Sequence, residues 1–217
     1  MKLRDLIESK LKRGNYDNLS TCRPKLTELP ADMQKKFFGD FSCSNNELTS
    51  LKFGPVEIGK KFNCASNKLT SLEYGPIQVG GSYKCSDNEL TSLEHCPSNL
   101  IGGFFDCSYN QLTSLAHCPT EVGGDFFCYG NHPLTTLDHI NLRLKKISGS
   151  FVCYDCNITS SILGLMLIEI GGHILTNLGD GKDVDAILNR WKNQGRNGVM
   201  HCQRDLIDAG YRELAQL

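Results

Sequence analysis

The chain repeats one nine-residue phrase, and that repetition restricts its fold more than any other feature. Cys64-Ala65-Ser66-Asn67-Lys68-Leu69-Thr70-Ser71-Leu72 has close copies at Cys43 to Leu51, Cys85 to Leu93 and Cys107 to Leu115. A looser copy runs from Cys128 to Leu137, with Pro133 inserted. Successive copies start 21 or 22 residues apart. A period of that length, carrying an aromatic, a cysteine, an asparagine and two leucines in fixed order, is the mark of stacked units that bury their apolar faces only against one another. The chain is therefore expected to be a solenoid.

Each full rung opens with an aromatic two residues before the cysteine: Phe41, Phe62, Tyr83, Phe105 and Phe126. Residues two apart on a strand share a face, so aromatic and cysteine both point into the stack. The asparagine column (Asn46, Asn67, Asn88, Asn110, Asn131) ends each strand, and its amides can satisfy backbone groups of their own and adjacent rungs. A Gly-Pro or Cys-Pro then turns the chain (Gly54-Pro55, Gly75-Pro76, Cys96-Pro97, Cys118-Pro119), and the return arm closes through Val79-Gly80-Gly81 and its equivalents. Proline-interrupted arms of this length predict an irregular or 3₁₀ convex side, so each rung is expected to hold one short parallel strand.

The ends differ from the middle. Leu3, Leu6, Ile7 and Leu11 recur at helical spacing, predicting a helix over 2–13 in an N-terminal cap of residues 1–18. Leu19 to Pro30 reads as a degenerate first rung, with Thr21 in the cysteine slot and Pro24 in the asparagine slot. Phe151 to Thr159 is a further rung, with Cys156 in place of asparagine, and Ile170 to Thr176 begins a last one, so the solenoid is expected to span 19–178. The apolar run Ile162 to Ile168 needs a cover. Helices over 182–193, with Val184, Ile187, Leu188 and Trp191 on one face, and over 199–217, with Met200, Leu206, Ile207, Leu214 and Leu217, are expected to supply it as a C-terminal cap within 179–217. Gly195-Arg196-Asn197-Gly198 is the predicted break.

Leu-x-Leu-x-x-Asn-x-Leu is the leucine-rich-repeat pattern, and aromatic-x-Cys-x-x-Asn-x-Leu resembles it with the first two leucines replaced. The Leu-Thr-Ser-Leu-x-x-x-Pro phrasing looks like the short repeats of bacterial type III effectors, and still more like small leucine-rich-repeat proteins of tailed phages. The resemblance covers residues 19–178. It implies a protein that binds a partner through a concave parallel sheet and carries no catalytic residue. It also implies a phage protein engaging or inhibiting a host protein in the host cytoplasm.

Bulk properties agree with a binding module. Arg4, Asp5 and Glu8 interrupt any apolar leader, and no run approaches the roughly 20 residues of a membrane span, so a cytoplasmic protein is expected. Eleven cysteines read as reduced, buried hydrophobes in that compartment. Residues 1–36 carry nine basic and five acidic groups, whereas residues 37–181 carry eight basic and fourteen acidic. Neither imbalance is the concentrated basic surface that nucleic acid requires.

Several constellations compete with this reading. Cys153 and Cys156 form a Cys-x-x-Cys, which elsewhere supports redox exchange, but the repeat columns already account for both. His95-Cys96 and His117-Cys118 lie one rung apart and have zinc-binding residue types, but Phe53-Gly54 and Tyr74-Gly75 hold the same slots in neighbouring rungs. Cys202 lacks the large domain that carries the ligase cysteine of some effectors. No catalytic residue, metal or cofactor is expected. A structural or assembly role, and a thiol or metal site on the Cys/His columns, stand as alternatives to binding.

The partner site is sought beside the inward pair. Those positions change from Ser42, Asn63 and Lys84 to Asp106, Phe127 and Val152, while Ser44, Ala65, Ser86 and Ser108 give way to Tyr129 and Tyr154. Exposed aromatics on one face are the usual anchors of protein interfaces. The expected site is Phe104, Tyr109, Phe127, Tyr129 and Tyr154.

Overall fold

The computed structural model describes residues 19, 25–31, 36, 37, 39–178 and 183–216. The expected helix over 2–13, and Thr21 and Pro24 of the first rung, lie outside the described residues. Within them the chain is a parallel-strand β-solenoid of about six turns, with a repeat of about 22 residues.

Two short strands occur in each full turn. One set follows the aromatic and builds a seven-stranded sheet: β2 (Phe41–Ser42), β4 (Phe62–Asn63), β6 (Tyr83–Lys84), β8 (Phe105–Asp106), β10 (Phe126–Phe127), β12 (Phe151–Val152) and β14 (Ile174–Leu175). The other set closes the return arm. There β1 (Lys36–Phe37), β3 (Glu57–Ile58) and β5 (Gln78–Val79) form one strip, and β7 (Leu100–Ile101), β9 (Glu121–Val122), β11 (Lys146–Ile147) and β13 (Glu169–Ile170) form another. This corrects the expectation of one strand per rung with an irregular convex arm. Proline interrupts only the start of each arm. The two residues before the glycine keep their N–H groups and alternate outward and inward, with Ile58, Val79, Ile101, Val122, Ile147 and Ile170 buried; that is the two-residue period of a half-buried strand.

The glycine between the two strands is a close-approach position. A Cβ at Gly80, Gly102 or Gly123 would stand 2.3, 2.1 or 2.3 Å from the carbonyl oxygen of Gly59, Gly80 or Gly102 one rung before. The tight corner and the absent side chain are therefore one constraint.

Inside, the aromatic column is continuous. Ring centroids from Phe41 through Phe62, Tyr83, Phe105 and Phe126 to Phe151 follow one another at 6.0, 5.0, 5.7, 5.1 and 5.6 Å. The cysteine column and both leucine columns are buried with it. The serine of Leu-Thr-Ser-Leu works outside the core: Ser50, Ser71 and Ser92 Oγ accept the N–H two residues on, from Lys52, Glu73 and Glu94.

Asparagine ties the rungs together. Asn88 donates through Nδ2 to the carbonyls of Cys85 in its own rung and Cys64 in the rung before, each at 3.1 Å, while its Oδ1 accepts the N–H of Leu69 at 3.0 Å. Asn67, Asn110 and Asn131 repeat the pattern. Asn46 makes the same bonds to the carbonyl of Leu19 and the N–H of Leu26. Leu19 thus makes the bonds that the cysteine slot makes in the later rungs. Where Cys156 replaces asparagine, its Sγ reaches the carbonyl of Cys128 at 3.4 Å.

A single turn, α1 (Ile140–Arg143), lies between β10 and β11 and a 3₁₀ helix (Ile162–Leu167) between β12 and β13; α2 (Asp183–Trp191) and α3 (Gly195–Asp208) follow the last strand. Val184, Ile187 and Leu188 are buried as expected, and α3 packs on both α2 and the 3₁₀ helix. The second helix departs from the sequence reading. It starts at Gly195, where φ is +55°, and Gly198 lies inside it because a Cβ there would be 2.4 Å from the carbonyl oxygen of Trp191. Gly198 is an interhelical contact and not a break. The buried face is accordingly Gly198, Val199, Cys202 and Leu206, while Met200 and Ile207 are exposed.

The polar face of α2 closes the sheet edge. Asn189 both accepts from the N–H of Ile174 and donates to its carbonyl, Asp185 accepts from Thr176, and Asn193 beyond the helix does for Ile170 what Asn189 does for Ile174. Residues four apart share a helix face, and here they replace the hydrogen bonds of a rung that does not follow. The apolar pattern of the helix gives no sign of this polar stripe.

Replacing Asn88 with alanine leaves the buried N–H of Leu69 without its partner, while the carbonyls of Cys64 and Cys85 each keep one amide donor, from Asn67 and Asn110; a loss of about 2 kcal/mol is expected, at about 1–3 kcal/mol for a buried group left unsatisfied. Urea unfolding of Asn88→Ala checks this; a loss below about 1 kcal/mol would mean that neighbouring rungs do not depend on the amide.

Candidate functional site: an aromatic patch on the long sheet

The five expected residues form one group. On the outer face of the seven-stranded sheet, Phe104 meets Phe127 edge-on at 6.2 Å, and Phe127 meets Tyr129 at 6.2 Å and 83°. Tyr109 stands perpendicular to Tyr129 at 5.1 Å, and Tyr154 stacks on it at 4.6 Å and 13°. Edge-on and offset arrangements at these distances are the favourable ones for aromatic pairs. Tyr109 and Tyr154 are 54% and 40% exposed, and the other three are half-buried.

Backbone stacking places the rings. Cys107 N–H donates to the carbonyl of Phe127, and Tyr109 N–H to that of Tyr129, so neighbouring rungs present their side chains in register. Tyr109 occupies a left-handed turn position, φ 51°, in a column whose other described members are Asn45, Ser66, Asp87, Gly130, Asp155 and Asn177. One rung on, Gly130 leaves the space that the Tyr109 ring fills: a Cβ there would be 2.5 Å from Tyr109 Cδ1. Gly130 thus belongs to the aromatic cluster, although the sequence reading does not include it. Its signal is a glycine where the neighbouring rungs carry Tyr109 and Asp155.

Five residues expected to be exposed are buried instead: Ala65, Ser86, Asp106, Ser108 and Val152. Val152 pairs in register with Phe127 and Leu175 and is 6% exposed. Ser108 is fully buried, and so nearly is Asp106, whose carboxylate accepts the Ser108 N–H and lies 3.4 Å from Lys84 Nζ. Phe127 and Tyr129 of the next rung stand beside Asp106 and Ser108, whereas Ser42, Ser44 and Asn63 are half-buried; Ala65 and Ser86 are buried with no large side chain in the same slot one rung on. Burial, and after it the charge of Asp106, raises the Tyr129 phenol above its ordinary value.

The Cys/His columns diverge. His95 and His117 sit in left-handed turns, φ 66° at each, that hold the imidazoles in solvent, while Cys96 and Cys118 turn into the core. Among the described residues, no three or more His, Cys, Asp or Glu are grouped so as to hold a metal. Burial pushes the thiols of Cys43, Cys118 and Cys128 up to about 12, and raises those of Cys64, Cys85 and Cys107. Cys153 is raised first by its hydrogen bond with Cys128, and Cys156 first by its hydrogen bond with Cys153. A reactive thiol needs the opposite shift.

No family model, curated protein or solved structure matches the chain. Among the described residues, no helix is long and apolar enough to cross a membrane.

The buried thiols set a pH dependence. Each stays neutral in the fold but ionises in the unfolded chain near the ordinary thiol value, so its contribution is complete below about pH 8.5 and lost as pH rises toward 12. By pH 10 each such thiol withdraws about 2 kcal/mol. Melting temperature should therefore be flat from pH 6 to 8 and fall steeply at pH 10; equal melting at pH 7 and pH 10 would contradict the buried thiol column.

Proposed function

We propose that the chain is a leucine-rich-repeat protein that binds another protein through the concave face of its long sheet. The aromatic patch is the anchor, and the two C-terminal helices are the cap of the stack. By its resemblance to small tailed-phage proteins, we place its partner among host cytoplasmic proteins and assign it no chemical step of its own.

The observation that carries this reading is the contiguity of Phe104, Tyr109, Phe127, Tyr129 and Tyr154 on a face the core does not need. The interior already has its own aromatic column, so the outer rings add little to the stacking of rungs. Rigid aromatics that keep exposed area are the residues most enriched at binding hot spots. The thiols, raised and enclosed, offer poor nucleophiles. The α2 stripe supports the cap assignment, since a solenoid end must satisfy an open ladder.

Size decides where the affinity comes from. Seven strands at about 4.8 Å give a face about 29 Å long, and about three outward residues make it only about 10 Å wide. A standard interface buries about 800 Å² per partner, so the rings and the adjoining turns must supply most of it.

Affinity capture from bacterial lysate, followed by binding assays on the captured protein, tests the reading. The Phe127→Ala, Tyr129→Ala, Tyr154→Ala triple variant should bind at least about thirtyfold more weakly, and the Ser42→Ala, Asn63→Ala pair should bind like wild type. A folded triple variant with undiminished affinity would place the site elsewhere.

A further inference from the structure

The rungs that carry most of the patch are one-sided in charge. From residue 85 to residue 142 the chain holds no lysine or arginine, yet it carries Asp87, Glu89, Glu94, Asp106, Glu121, Asp125 and Asp138. Those residues include the rungs that bear Phe104, Tyr109, Phe127 and Tyr129. Lys84, at the border, is already engaged with Asp106 at 3.4 Å.

Two carboxylates flank the exposed rings directly. The turn column runs Asp87, Tyr109, Gly130, Asp155, with Asp87 N–H donating to the carbonyl of Ser108 and Gly130 N–H to that of Tyr154. Asp87 thus lies one rung before Tyr109, and Asp155 follows Tyr154 in sequence. Asp155 is largely exposed, and the imidazole of His132, itself exposed, lies 4.0 Å from it through Nδ1. Tyr154 stacks on Tyr129 with one face and still keeps 40% of its surface exposed, as Tyr109 keeps 54%.

We propose that this end of the sheet receives an arginine side chain of the partner, its guanidinium lying on Tyr154 or Tyr109 and its N–H groups donating to Asp155 or Asp87. The proposal rests on the protein-binding reading above and names the chemistry of the bound segment. An open tyrosine face beside a carboxylate suits a guanidinium better than an ammonium, because the planar group can stack and donate in its own plane together. The same acidity disfavours a phosphate-bearing or acidic ligand.

The test is a nuclear magnetic resonance titration of the full chain with three peptides: acetyl-Gly-Arg-Gly-Arg-Gly-Arg-Gly-amide, its citrulline counterpart and its glutamate counterpart. Citrulline keeps the shape and loses the charge. The arginine peptide should shift resonances of Tyr109, Tyr154 and Asp155 and bind at least about fivefold more tightly than the citrulline peptide. Asp155→Asn should weaken it about threefold, as should raising salt from about 50 to about 500 mM. Equal shifts from arginine and citrulline peptides would overturn the arginine assignment, as would a preference for glutamate or no shift at these residues. The aromatic triple variant assayed against a captured partner does not depend on charge, so loss of binding there with any of those results would leave the protein-binding reading standing.

Discussion

The structure depends on a side-chain amide that belongs to two rungs at once. A strand of two residues contributes too few ladder hydrogen bonds to set its register, and a one-residue slip would turn every buried side chain outward. The asparagine column removes that freedom. Each amide donates to the cysteine carbonyl of its own rung and of the rung before, and accepts the leucine N–H of that earlier rung. Because the amide is buried, displacing it leaves backbone groups unsatisfied where water cannot reach them. Position along the stack is thereby coupled to the chemistry of one residue.

From that coupling the remaining features follow. With rungs held in register, the aromatics stack at about the spacing of the strands, the corners approach so closely that only glycine fits beside the preceding carbonyl, and side chains of the same slot line up on the outer face. The last column is what makes a surface: aromatics placed in three successive rungs become one cluster without further design. The stack must also end. Asp185, Asn189 and Asn193 close the final edge with the kinds of side-chain bonds that asparagine makes inside the stack.

Much of this is legible in the amino-acid sequence, for a physical reason. Repetition averages out local ambiguity, so Phe62, Cys64, Asn67 and Leu69 each take an inward or bridging role from their copies. The clustering of Phe104, Tyr109, Phe127, Tyr129 and Tyr154 is readable in the same way, as departures from a polar column. Features outside the repeat are harder. The return-arm strand escapes sequence reasoning because proline nearby outweighs a two-residue alternation. Gly198 reads as a break because a glycine that permits helix contact and one that ends a helix look alike in sequence. Asp106 and Val152 read as exposed because their burial depends on the size of side chains one rung away, which a strand pattern does not contain.

Hydrogen exchange measured amide by amide under native conditions tests the central claim most directly. The N–H groups of Leu48, Leu69, Leu90 and Leu112 lie after the strands, outside any β-ladder, and each is bonded to the Oδ1 of an asparagine one rung on. If the amide column holds the register, these four should exchange as slowly as the inter-rung backbone amides of Cys64, Cys85 and Cys107 at the strand ends, through opening of whole rungs. If they exchange as fast as the exposed turn amides of Lys52 and Glu73 while the strands stay protected, the asparagines decorate the stack and something else holds it.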